Sequence, residues 1–160
     1  MSQQEHHEFL QLINQHRAIM HQVVNLYIDD YQEREDLVQE IVFQALKSFA
    51  NFRNESKFST WLYRVGLNTV FSFSRKSKNR RTAEGSYQVD EFAEQTNDAA
   101  AELYYHVRRL DEVNRMIITL HLEGFGNNEI AEITGIKANA IGVRLHRIRE
   151  TLTRKMNHIK

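Results

Sequence analysis

The chain contains no proline, and only six of its 160 residues are glycine. Proline breaks helices and glycine weakens them, so a chain almost empty of both is suited to nearly continuous helix. Apolar spacing agrees. Phe9, Leu12, Ile13, Ile19, Val23, Leu26 and Tyr27 recur at helical intervals before "DDYQERED", which can cap a following helix. In "EDLVQEIVFQALKSF", Leu37, Ile41, Ala45 and Phe49 form an i, i+4 stripe, with Asp36, Gln39, Glu40 and Lys47 off it. The expected fold class is all-α, and 160 residues suit one or two small domains.

A break in periodicity divides the chain. Between Lys78 and Ala101 no period is sustained, and the stretch is acidic after Arg81. A connection this long is unusual inside one compact domain. The expected organisation is a helical domain over 1–81, an acidic flexible linker over 82–101 and a second helical domain over 102–160. Helices are expected near Glu102–Leu110, Asp111–Glu123, Asn127–Thr134 and Asn139–Lys155, with glycines at the breaks and Asp111 as a cap.

The formal net charge of zero hides an alternation. Residues 1–50 hold three basic and eight acidic side chains, a balance of −5, and residues 51–81 hold eight and one, +7. Residues 82–112 hold two and eight, −6, and residues 113–160 hold eight and four, +4. Two separated basic blocks suggest two contacts with a polyanion, and the acidic N-terminal block suits a protein partner.

There is no cysteine, which excludes disulfides, thiol catalysis and cysteine-based zinc sites. His6, His7, His16 and His21 cluster near Glu5 and Glu8, but no HExxH pattern occurs and they share no helical stripe; surface histidines and no metal are expected. Without a phosphate-cradling glycine loop or nucleophile elbow, no enzyme and no cofactor are expected. No apolar run reaches 18 residues and the start is polar, so a soluble cytoplasmic protein with no membrane contact of its own is expected.

Two stretches carry the chemistry. In "NNEIAEITGIKANAIGVRLHRIRETL", Ala131 is small where two helices cross, Gly135 sits at the turn and Ile136 enters the core. Ile141, Leu145, Ile148 and Leu152 stripe the second helix, with Lys137, Gly142, Val143, His146 and Arg147 outside the stripe. This is the pattern of a helix-turn-helix whose second helix enters the major groove. His146 and Arg147 suit base edges, and the other cations suit phosphates. In "FSTWLYRVGLNTVFSFSRKSKNRR", Leu62, Val65, Thr69 and Phe73 fall on one helical face, with Trp61 at its edge. Thr60, Arg64, Asn68, Phe71 and Arg75 fall on the other, and the basic run from Arg75 to Arg81 reads as a phosphate clamp. Ser59 or Thr60 is the expected helix cap.

These stretches, in this order, resemble the extracytoplasmic-function group of the sigma-70 family of transcription initiation factors. "EDLVQEIVFQALKSF" resembles the family's polymerase-binding helix, "NFRNESKFSTWLYRVGLNTVFSFSRKSKNRR" its −10-reading segment, and "LEGFGNNEIAEITGIKANAIGVRLHRIRETL" its −35-reading motif. The resemblance implies core RNA polymerase and promoter DNA as partners, and an anti-sigma factor as is common in the family. It assigns Asp36, Gln39 and Glu40 to polymerase. It assigns Phe52 and Asn68 to a pocket for a flipped-out −10 base, with Arg53, Lys57, Ser59, Thr60, Arg64 and Arg75 beside them. Gly142, Val143, His146 and Arg147 match its −35 base-contacting positions, with Lys137 and Arg144 placed for phosphates. The chain departs from the family's usual pattern at Ser72, Asp111, Gly126 and Gly142-Val143, the last lacking a usual basic residue. The competing reading is a helix-turn-helix regulator that acts without polymerase.

Overall fold

The computed structural model describes the backbone of residues 1–84 and 99–157, and the side chains of residues 1–76 and 99–157. All regular structure among them is helical, and the chain divides into two compact units, Met1–Asp90 and Glu91–Lys160.

The first unit opens with α1 (Gln3–Gln15) and α2 (Arg17–Tyr27). A capping box starts α1: Ser2 Oγ accepts from the Glu5 amide at 3.2 Å, and Glu5 Oε2 accepts from the Ser2 amide at 2.7 Å. The run expected as continuous helix breaks at His16, whose φ of −115° and ψ of 22° leave the helical region. His16 is not a surface histidine. Its Nδ1 lies 2.8 Å from the Leu12 carbonyl, and its ring packs 5.1 Å from that of Phe58.

Asp30 caps α3 (Tyr31–Ser48), accepting from the amides of Gln32 and Glu33. Leu37, Ile41 and Ala45 are buried as expected, and Phe49 is buried in the 3-10 turn Phe49–Asn51 that ends the helix. After a short loop, α4 runs Phe58–Glu84. The helix thus begins before Ser59 and Thr60, which lie in its first turn and not at the cap. Helices α2, α3 and α4 pack together around Met20, Val23, Val24, Leu37, Ile41, Leu62 and Val70. Gly66 lies between them: a Cβ there would sit 3.7 Å from Val23 and 3.8 Å from Ile41.

In the second unit, α5 (Ala99–Arg108), α6 (Glu112–Leu122), α7 (Asn127–Thr134) and α8 (Ala138–Asn157) enclose a core of Val107, Ile117, Leu120, Ile130, Ile141, Leu145 and Ile148. Asp111 caps α6, accepting from the Asn114 amide at 2.8 Å. Gly135 ends α7 at φ +78°, a left-handed conformation that favours glycine, and its amide donates to Ala131 O at 2.8 Å. Ile130 and Ile133 fill the core beneath this turn, whereas Ala131 and Ile136 are half-buried. Of the expected linker span 82–101, residues 82–84 belong to α4 and residues 99–101 to α5. Residues 85–98 of that span lie outside the described residues.

Candidate nucleic-acid and protein interfaces

Helix α4 buries a different face from the one its pattern suggested. Leu62, Tyr63, Leu67 and Val70 are buried, whereas Val65, Thr69 and Phe73 are half-buried. The core face is rotated by about a quarter turn. Tyr63 keeps its hydroxyl satisfied by donating to Gln22 Oε1 at 3.1 Å, which lets a polar-tipped aromatic face inward. The rotation removes Thr60 from the expected DNA surface: its side chain is only 3% exposed and cannot reach a phosphate. Ser59 is half-buried, while Arg64, Asn68 and Arg75 remain exposed on the far side of the helix. Phe71 packs edge-on against Tyr27 with ring centroids 5.2 Å apart. Lys76 is exposed, and the side chains of Lys78, Arg80 and Arg81 lie outside the described residues.

Phe52 and Asn68 occupy different surroundings. Phe52 joins an aromatic cluster in which its ring lies 5.1 Å from Trp61, 5.8 Å from Phe58 and 6.2 Å from Phe49. It is half-buried, at the start of the loop that carries exposed Arg53 and Lys57. Asn54 turns that loop at φ +56°, a conformation asparagine tolerates well. Asn68 instead faces a groove of about 700 Å³ between α3 and α4, lined by Asp36, Glu40 and Gln44 on one side and Asn68, Ser72 and Lys76 on the other. Phe52 is not among the lining residues. Two sets of residues expected to serve different partners, Asp36 with Glu40 and Asn68, therefore share one groove.

On α3, Asp36, Gln39 and Glu40 are all exposed, and Glu40 Oε1 accepts from Gln44 Nε2 at 2.8 Å. Sequence reasoning passed over Phe43, which is 52% exposed and carries Lys47 Nζ 5.3 Å above its ring. The available signal was an aromatic residue lying off the Leu37–Ile41–Ala45 stripe. Tyr31 donates its hydroxyl to Glu35 Oε1 at 2.8 Å, a bond to its neutral form that raises its pKa above the usual tyrosine value.

On α8, burial of Ile141, Leu145, Ile148 and Leu152 turns Val143, Arg144, His146 and Arg147 outward. Two of these side chains have protein partners. His146 Nε2 lies 3.2 Å from Glu150 Oε1, and Arg144 Nη1 donates to Asn114 Oδ1 on α6 at 3.3 Å. Lys137, just before the helix, is exposed. Gly142 is half-buried, and a Cβ added to it would meet Asn127 Nδ2 at 3.6 Å. Asn127 is exposed at the start of α7 and only the folded structure brings it to α8. Two turns further along α8, Arg149 contacts His121. Burial, then the Arg149 charge, lowers the His121 pKa from its ordinary value. Among the described residues, no helix is long and apolar enough to cross a membrane.

Comparison with known proteins matches each unit separately. Residues 12–81 match Sigma-70 region 2, and residues 101–152 match Sigma-70, region 4. The RNA polymerase sigma factor SigV of Bacillus subtilis is 28% identical over 139 residues, covering 84% of this chain and 82% of its own. The ECF RNA polymerase sigma-E factor of Haemophilus influenzae is 30% identical over 145 residues, covering 76% of this chain and 73% of its own. In fold, the chain resembles the sigma factor RpoE solved with the anti-sigma factor NepR from Bartonella quintana, with a TM-score of 0.78, 21% identity and coverage of 94% and 97%. It also resembles CnrH solved with the cytosolic domain of CnrY, with a TM-score of 0.70, 22% identity and coverage of 95% and 89%.

Proposed function

The chain belongs to the sigma-70 family, in its extracytoplasmic-function group, and from that premise we propose that it binds core RNA polymerase in the cytoplasm and directs it to specific promoters. The observation that carries this reading is the succession of region 2 and region 4 in two separate helical units. A regulator acting without polymerase has no use for the first of them. The role is one of binding and DNA opening, with no catalysis and no cofactor of its own.

In this reading Asp36, Gln39 and Glu40 on α3 meet polymerase, since an acidic surface cannot favour DNA. The loop and helix of the first unit take the −10 element. Arg53, Lys57, Arg64 and Arg75 hold phosphates, and Asn68 offers an amide donor and acceptor to a base edge. Opening the duplex costs a few kcal/mol per unstacked step, which capture of an extruded base offsets. Phe52, whose ring packs on Trp61, offers the exposed part of its half-buried ring to the same element. The second unit takes the −35 element through α8, with Lys137 and Arg144 on phosphates and the bases met by Gly142, Val143, His146 and Arg147. Phosphate contacts make assembly on DNA strongly salt-dependent. An anti-sigma factor, as named in the complex of RpoE with NepR, is the third partner.

Run-off transcription with purified core polymerase across the native promoters is the test. The expected result is a discrete transcript that needs both the chain and core enzyme. Folded protein that yields no specific transcript, or that fails to retain core polymerase in a pull-down, overturns the reading.

A further inference from the structure

Arg147 is the guanine-reading side chain on the outward face of α8, whereas Gly142 and His146 are poorly equipped for that base. Gly142 presents no side chain where a basic residue would contact the guanine O6/N7 edge. His146 is held beside the carboxylate of Glu150, with 3.2 Å between Nε2 and Oε1. That carboxylate places negative charge next to the imidazole.

The gap at Gly142 is not open solvent. A Cβ built there meets Asn127 Nδ2 at 3.6 Å, and no other atom beyond the local helix backbone within 4 Å. The carboxamide of an exposed side chain from α7 thus lies over the place on α8 from which a side chain is missing. The next residue, Val143, is 52% exposed, so its isopropyl group faces outward, unused by the core. An amide and an isopropyl group together complement the major-groove edge of A·T pairs. Asparagine pairs with adenine N6 and N7, and an apolar group packs on the thymine C5-methyl.

We propose that Asn127 and Val143 form an A·T-selecting surface, the amide crossing Gly142 to an adenine edge and the isopropyl group packing on a neighbouring thymine methyl. This rests on the reading of the second unit as the −35 reader. It adds a residue from α7 to that contact and names the bases it takes.

The probe is duplex DNA selected by the holoenzyme, full chain plus core polymerase, from a pool randomised over the upstream element. Each thymine of the selected site is replaced singly by 2′-deoxyuridine, which removes only the methyl, and each adenine by 7-deazaadenine, which removes the N7 acceptor. One deoxyuridine should weaken binding of the wild-type holoenzyme about fourfold, the cost of one methyl, and have no effect with Val143→Ala. One 7-deazaadenine should weaken it roughly five- to tenfold, and have no effect with Asn127→Ala. Analogues that leave the wild type unchanged, or that weaken wild type and variants alike, overturn the proposal while the −35 reading stands. A holoenzyme that selects no upstream sequence removes both.

Discussion

The ring of Trp61 lies 5.1 Å from that of Phe52, and both belong to a cluster with Phe49 and Phe58 at the start of α4. Trp61 is therefore a packing residue that holds the loop beginning at Phe52 to the helix, despite its place in an aromatic and basic stretch. Trp61→Ala should lower the stability of the first unit by about 2 kcal/mol, less than the 3–5 kcal/mol of a fully buried aromatic, because Trp61 is half-buried. The melting temperature should fall by about 10 °C. An unchanged melt would remove Trp61 from the packing role.

Asn68 should behave in the opposite way. It is exposed and faces the α3–α4 groove, so Asn68→Ala should leave the melt within about 0.5 kcal/mol of wild type. Open-complex formation should slow about three- to tenfold, the worth of a hydrogen bond or two, while binding to an upstream duplex stays unchanged. Equal loss in both assays would withdraw the base-reading role. Potassium permanganate footprinting and gel-shift titration measure the two quantities.

Gly66 should accept a methyl group. The added Cβ would sit 3.7 Å from Val23 and 3.8 Å from Ile41, ordinary van der Waals distances, and alanine favours a helix interior over glycine by about 1 kcal/mol. Gly66→Ala should raise the melting temperature by roughly 4–8 °C. A decrease would show that the three helices approach more closely than these distances indicate. Gly66→Leu should destabilise by about 1–3 kcal/mol through overpacking.

The second unit should weaken in acid through His121. Its pKa is lowered in the fold by burial and then by Arg149, so the unfolded chain binds the proton more readily than the native one. Stability from this source is fully present above the ordinary value of 6.5 and is lost as pH falls through the lower, folded value. Thermal melts between pH 8 and pH 5 should show that loss in wild type and less of it in His121→Gln. Identical pH profiles would remove His121 as the cause.

How far the sequence carries can be traced in single elements. Helix α3 was legible apart from the exposed Phe43: Asp30 had a cap's chemistry, and the Leu37, Ile41, Ala45 and Phe49 stripe repeated every four residues. The same holds for Asp111 and Gly135, whose capping roles depend on side-chain chemistry and backbone freedom within a few residues. Helix α4 misled because it is apolar or aromatic on more than one face. Val65, Thr69 and Phe73 fit one inward stripe and Leu62, Tyr63, Leu67 and Val70 fit another. Packing against α2 and α3 buried Leu62, Leu67 and Val70, Gln22 satisfies the Tyr63 hydroxyl on that face, and Thr60 was carried inward with it.

The sequence by itself determined what depends on neighbours along the chain: an all-helical protein, the caps at Asp30 and Asp111 and the turn at Gly135, and two basic blocks either side of an acidic stretch. The tertiary structure decided what depends on neighbours in space. It separated Phe52 from the groove that Asn68 shares with Asp36 and Glu40, and it laid Asn127 across Gly142. The physical reason is that helical period assigns a residue to a face, whereas only packing against other helices decides which face turns inward and which distant side chain fills a gap.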